Sequence, residues 1–249
     1  MHQEAEITSR QAKVLAAIVK ENCETGQPVA SADIVEKYNF GVSSPTIRNE
    51  MQALEKLGYI TQPHTSAGRV PTDKGFRYFV NQLMDRVKLS VKEQDHLRSE
   101  LRKLQRVNME VGRRLTKLLA DESQNASFAL FGDEVSTVGL SNILGDPALP
   151  TEEAKEIAKF FDEIDQHAEQ MISDYGSHGP EAKIGKEISL SKNSDYSMVV
   201  SGLQLPSGQK GVIGLVGPKS MKYEKNMNLL EYISKLLGGG VGIVFFLIK

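Results

Sequence analysis

The sequence predicts an α+β protein in two parts, an N-terminal winged helix-turn-helix and a C-terminal antiparallel sheet with helices on one face, joined by a long helix. Three observations carry this. Three short helical segments, each with a start and a stop signal, precede a hairpin whose loop holds Pro and Gly. Residues 88–119 contain Gly112 as the sole Gly or Pro and repeat apolar residues in alternating steps of four and three. Near the other end YSMVVSGLQL, PSGQ and KGVIGLVG read as two apolar strands around a turn. A length of 249 residues suits two domains, and 40% apolar with 25% charged residues is ordinary globular composition. The expected boundaries are 1–86, 87–119 and 120–249.

The first helix begins at Thr8 or Ser9, either of which can cap, and stops at Gly26; Val14, Leu15, Ile18 and Val19 form its apolar face. After Pro28 and Val29, Ser31 is placed to cap the short helix ADIVEKYN. Ser44 then caps a third helix, with Pro45 at its first position and Gly58 at its end. Residues 59–61 and 69–70 are short strands around the loop QPHTSAG, and Thr72 caps the aromatic-rich helix DKGFRYFVNQLMDR. Helix, helix, helix, hairpin is a winged helix.

In the stretch that follows, Leu97, Leu104, Val111 and Leu118 take one heptad position, and Leu101, Asn108 and Leu115 the other. Two readings stand side by side. The stripe is the seam of a parallel two-stranded coil, with Asn108 fixing its register, or the helix is amphipathic and rests on its own C-terminal domain. Residues 120–132 read as a linker or a short strand, EVSTVGLSNIL as a strand, and residues 151–176 as an acidic helix opening on Thr151. KIGKEISL is a further strand, and a last helix ends before Gly238. The tail GGGVGIVFFLIK reads as an edge strand or a sticky contact.

Composition excludes several classes of function. The lone Cys23 can make neither an internal disulfide nor a cysteine-based metal cage, and His2, His64, His96, His167 and His178 lack metal-ligand spacing. Phosphate-loop, GxSxG and HExxH patterns are missing, and adjacent acids such as Glu152 and Glu153 suit a helix dipole better than an acid and base pair. The expectation is a non-enzyme without cofactor or metal. The longest apolar run, Val241 to Ile248, is far too short to span a bilayer and the N-terminus is no signal peptide, so a cytoplasmic protein with no membrane partner is expected.

The net charge of −2 conceals a segregation. Residues 120–180 hold 2 Lys+Arg against 13 Asp+Glu, whereas residues 89–119 hold 8 against 4 and residues 1–88 hold 11 against 10. The acidic middle repels a polyanion, so contact with double-stranded DNA is expected before residue 120. In the third helix, Ile47, Met51 and Leu54 fix the core side. The outer side then shows Pro45, Asn49, Gln52 and Lys56, flanked by Thr46 and Arg48. Arg suits guanine, and Asn or Gln suits adenine, through paired hydrogen bonds to base edges. In the loop tip, His64, Thr65 and Ser66 lie against the sugar-phosphate edge and Arg69 reaches a phosphate or the minor groove. Ser31 and Ser44, at helix N-termini, combine capping with phosphate contact.

The stretch VSSPTIRNEMQALEKLGYITQPHTSAGRVPTDKGFRYFV, with SRQAKVLAAIVKENCETGQPVASADIVEKY before it, strongly resembles the N-terminal domain of the heat-inducible transcription repressor HrcA family. STVGLSNILGDP and GVIGLVGPKSMKYEKNMNLLEYISKLL resemble that family's C-terminal segments. The resemblance implies a homodimeric repressor of chaperone operons that binds an inverted-repeat operator, is released on heat stress and depends on a GroEL-type chaperonin. It also implies a GAF-like C-terminal domain, here reduced: family members are longer, and in this chain Leu119 runs almost directly into STVGLSNIL, so much of the early GAF-like portion and the inserted dimerisation segment are missing. That departure gives the leucine stripe more weight as a replacement seam. Two other functions fit the same residues: a transcription factor that senses a small molecule through its C-terminal half, and a winged helix that binds protein instead of DNA.

Overall fold

A computed structural model describes residues 7–64, 67–84, 89–104, 111–145, 151–188, 196–205 and 208–238. The chain divides into two compact units, residues 1–85 with 219–222, and residues 86–218 with 223–249.

In the first unit, α1 (Ser9–Thr25) opens on a capping box. Thr8 Oγ1 accepts from the Gln11 backbone N–H at 3.2 Å, and the Gln11 side chain accepts from the Thr8 N–H at 2.9 Å. Gly26, at φ 66°, ends the helix in the left-handed region. Then come α2 (Ser31–Lys37), α3 (Ser44–Lys56), β1 (Ile60–Thr61), β2 (Val70–Pro71) and α4 (Asp73–Tyr78), which continues as a π-helical turn over Phe79–Leu83. Thr72 caps α4 as expected, accepting from the Gly75 N–H at 3.2 Å. The expected caps of α2 and α3 are each off by one residue, because Ala30 and Ser43 hold the cap positions. Ser31 turns inward instead, and its Oγ lies 3.0 Å from Ser44 Oγ.

Glu21 is a buried carboxylate that ties α1 to α2 by accepting from Lys37 Nζ and from Tyr38 Oη, the latter at 3.3 Å. Burial first, and then the Glu21 charge, push the Tyr38 phenol up to about 12. A raised folded-state pKa stabilises fully below the unfolded value of about 10 and is lost as pH climbs through the folded one. The thermal midpoint of the wild type should therefore fall between about pH 10 and about pH 12 by more than that of Tyr38→Phe, which parallel melts in that window would show.

The second unit begins with α5 (Val91–Leu104) and α6 (Val111–Ser123), where one continuous helix ending near 119 was expected. Residues 105–110, including Asn108, and the side chain of Leu104 lie outside the described residues. Leu97, Leu101 and Leu115 are each no more than 3% exposed, and Val111 and Leu118 are half-buried. Tyr232 Oη donates to Gln94 O at 3.3 Å, and His96 Nε2 meets Glu122 at 3.2 Å, so α5 rests on its own unit. Exposing one buried leucine costs about 1.5 to 3 kcal/mol. The three leucines are therefore core residues of the second unit, which favours the reading of a helix that rests on its own C-terminal domain over that of an interchain seam.

Five strands follow: β3 (Ala126–Phe131), β4 (Glu134–Val138), β5 (Glu181–Ile184), β6 (Tyr196–Gln204) and β7 (Lys210–Pro218), all antiparallel in the order β4-β3-β7-β6-β5. The segment read as linker or short strand supplies β3, next to the centre of the sheet. The segment read as one strand, EVSTVGLSNIL, turns at Gly139 into α7 (Leu140–Leu144). The strand expected at KIGKEISL ends at Ile184 and gives way to a tight helical turn, Gly185–Glu187. The acidic helix is broken at Ile164–His167 into α8 (Thr151–Glu163) and α9 (Ala168–Tyr175), and α10 (Tyr223–Leu237) closes the described chain. The tail beyond Gly238 lies outside the described residues.

Helices cover both faces of this sheet, not one. Side chains alternate along a strand, and Ala126, Phe128, Leu130, Met198 and Val200 point into an apolar cluster with Ile143, Ile157, Phe160 and Met171 of α7, α8 and α9. The alternate residues point the other way. Ser127 Oγ donates to Thr116 O of α6 at 2.6 Å, Tyr223 Oη of α10 donates to Ser197 Oγ at 2.7 Å, and Ser201 Oγ lies 3.2 Å from Ser234 Oγ of α10. Small hydroxylic residues are buried on this second face, where they resemble a solvent side in the sequence. The sheet is thus a central layer between two sets of helices, with β3 and β4 as its first two strands. No helix among the described residues is long and apolar enough to cross a membrane.

Candidate nucleic-acid interface

α3 forms because Pro45 sits in its first turn and because Ile47, Met51 and Leu54 recur four and three apart. All three are at most 3% exposed. Their burial turns Pro45, Arg48, Asn49, Gln52 and Lys56 outward, and all five are exposed. Arg48, Asn49, Gln52 and Lys56 make no hydrogen bond or ion pair with another described residue. Their donors and acceptors are therefore available to a partner. Thr46 is half-buried, with Oγ1 3.1 Å from Ser43 Oγ, so the exposed hydroxyl at the head of the helix belongs to Ser43. The sequence reading missed Ser43 because it placed the cap one residue later.

The wing is β1 paired with β2, Ile60 opposite Pro71 and Thr61 opposite Val70. Val29 adds a third rung: its N–H donates to Arg69 O at 2.9 Å and its carbonyl accepts from the Arg69 N–H at 2.8 Å. This requires Gly68, since a Cβ there would stand 2.4 Å from the carbonyl carbon and oxygen of Val29. Gln62 Nε2 donates to Ala67 O at 3.0 Å and braces the loop from within. His64 is exposed beside α3's unit at the loop, while Thr65 and Ser66 lie outside the described residues.

Arg69 is not the exposed phosphate contact expected of it. Its side chain is 16% exposed, and Nε lies 3.0 Å from Glu55 Oε2 on α3. The pair ties the base of the wing to the reading helix, so Arg69 is a positioning residue. Neither partner carried a local sequence signal, because the two residues are fourteen apart and meet only through the fold. Ser31 and Ser44 likewise engage each other, which turns the two hydroxyls from the expected phosphate contact toward the joint between helices. Among the described residues no cluster of His, Cys, Asp or Glu could hold a metal.

The chain matches the family described as HrcA protein C terminal domain over residues 74–227, and the LexA DNA binding domain over residues 4–68. A heat-inducible transcription repressor HrcA of Carboxydothermus hydrogenoformans is 26% identical over 337 aligned positions, which take in 95% of this chain and 98% of that protein. The alignment is longer than the 249 residues of this chain, so that relative carries segments this chain lacks. HrcA of Moorella thermoacetica is 42% identical over 125 residues, 50% of this chain and 36% of that protein, and HrcA of Pelotomaculum thermopropionicum is 52% identical over 94 residues, 38% of this chain and 27% of that protein. One solved structure, described only as a hypothetical protein, shares the fold with a TM-score of 0.69 and 22% identity, covering 94% of this chain and 97% of that one.

Proposed function

Since the chain belongs to the HrcA family of heat-inducible transcription repressors, we propose that it represses chaperone operons by reading an inverted-repeat operator as a homodimer. It is a DNA-binding regulator and not an enzyme. The observation that carries the proposal is the outer side of α3, where Arg48, Asn49, Gln52 and Lys56 stand exposed without partners among the described residues, next to a wing. In this reading Arg48, Asn49 and Gln52 meet base edges in the major groove. Lys56, Ser43 and Thr46 flank them on the phosphates, and the loop at His64, with Thr65 and Ser66, follows the sugar-phosphate edge. The protein acts in the cytoplasm, heat releases it from the operator, and a GroEL-type chaperonin is the partner that keeps it active, as the family resemblance implies.

The test is fluorescence anisotropy on an inverted-repeat fragment from a chaperone promoter and on a scrambled duplex, at two salt concentrations. The repeat should bind about a thousandfold more tightly or better, and both affinities should fall steeply with salt. Equal affinity for the two duplexes, or binding indifferent to salt, overturns the proposal. Mass in solution with and without the fragment tests the homodimer.

A further inference from the structure

The first unit is not built from one continuous stretch of chain. Lys219–Lys222, which follows β7 and precedes α10, belongs to it. Met221 is 3% exposed, so this short segment is seated in the protein and does not lie loose in solvent. Its two lysines differ. Lys222 Nζ lies 2.9 Å from Glu24 Oε2, but the two side chains are 53% and 62% exposed, and an ion pair in solvent is worth little. Lys219 Nζ lies 2.7 Å from Asp73 Oδ1, and these side chains are 22% and 36% exposed.

Asp73 is the first residue of α4, and that end of the helix is fastened to the wing. The Thr72 N–H donates to Tyr59 O at 3.0 Å, and Thr72 Oγ1 donates to Gly58 O at 2.6 Å. Gly75 packs so closely that a Cβ there would stand 2.1 Å from Tyr59 O. Tyr59 leads directly into β1, and Pro71, the last residue of β2, is two residues before Asp73. A shift in the first turn of α4 therefore moves both strands. Arg69, just before β2, pairs with Glu55, and Asp73, just after it, pairs with Lys219. The short strand is clamped from either end, and the second clamp comes from a distant part of the sequence.

We infer that Lys219 is a positioning residue of the wing: through Asp73 it fixes the first turn of α4, and with it the placing of β2 against DNA. The functional effect rests on the operator reading proposed above, whereas the effect on the wing is measurable without DNA.

The experiment uses the full chain and compares Lys219→Ala, Lys219→Arg, Asp73→Asn and Lys222→Ala, the last of which removes the same charge from the same segment. Without DNA, amide exchange at Thr72, Gly75 and Arg69 should be at least about threefold faster in Lys219→Ala and Asp73→Asn, and unchanged in Lys222→Ala. Exchange at Leu130 in the sheet should not change in any variant. Binding is then measured on the operator fragment and the scrambled duplex, at a temperature where every variant is folded. Lys219→Ala and Asp73→Asn should each lose about fivefold on both duplexes, and the double variant no more than either alone. Lys219→Arg should keep wild-type affinity, and Lys222→Ala should stay within about twofold of it. Unchanged exchange or unchanged affinity in Lys219→Ala overturns the inference, as does an equal loss in Lys222→Ala. A loss in Lys219→Ala that comes with a salt slope lower by about one, and with no loss in Asp73→Asn, makes Lys219 a phosphate contact and overturns it as well. If the wild type binds the two duplexes equally, the operator reading fails, while faster exchange at Thr72 and Gly75 in Lys219→Ala still upholds the clamp.

Discussion

Arg48→Ala should lose roughly a factor of 5 to 150 in affinity for the operator, and far less for a scrambled duplex, so that discrimination collapses while non-specific binding survives. The range is about 1 to 3 kcal/mol, the worth of one good bidentate contact to a base. Asn49→Ala should behave the same way at a different base pair. The structure makes this a clean measurement, because both side chains are exposed and have no partners among the described residues. Their removal takes away no internal contact, and stability should stay within about 0.5 kcal/mol. Anisotropy on operators substituted one base pair at a time would show the loss confined to one position for each variant. Equal loss on operator and scrambled DNA for Arg48→Ala would assign it to the backbone and defeat the base-reading role.

Gly68→Ala should be the most damaging single methyl in the wing. The new carbon would stand 2.4 Å from the carbonyl group of Val29, and backbone cannot yield as a flexible side chain does. The strand must therefore move away, breaking the two Val29–Arg69 backbone hydrogen bonds and shifting Arg69 relative to Glu55. Overpacking of this kind costs about 1 to 3 kcal/mol. Calorimetry should show a lower midpoint, and affinity should fall about tenfold on operator and scrambled duplex alike. Here the two duplexes lose together, in contrast to Arg48→Ala. A variant with unchanged melting and unchanged binding would mean that Val29 does not hold the wing.

The helices of the first unit were legible because their signals are local: Thr8, Pro45, Gly58 and Thr72 mark starts and stops, and Ile47, Met51 and Leu54 fix which side of α3 faces out. What could not be read were contacts between residues distant in sequence. Arg69 looks like an exposed cation until the fold brings Glu55 to it. In the second unit Ser127, Ser197 and Ser201 alternate with apolar residues as a solvent-facing row would, and only the helices packed over them show that the row is buried. The stop at Gly139 was missed because VSTV and LSNIL are similarly apolar, and the change from strand to helix depends on a left-handed glycine at φ 86°.

The burial of Leu97, Leu101 and Leu115 has an effect beyond their own packing. Leucines packed into the interior of their own unit are not free to set a distance between two copies. If the proposed homodimer reads an inverted repeat, a seven-residue insertion in α5 should therefore disturb the second unit's folding without resetting the gap between half-sites by a turn of coil.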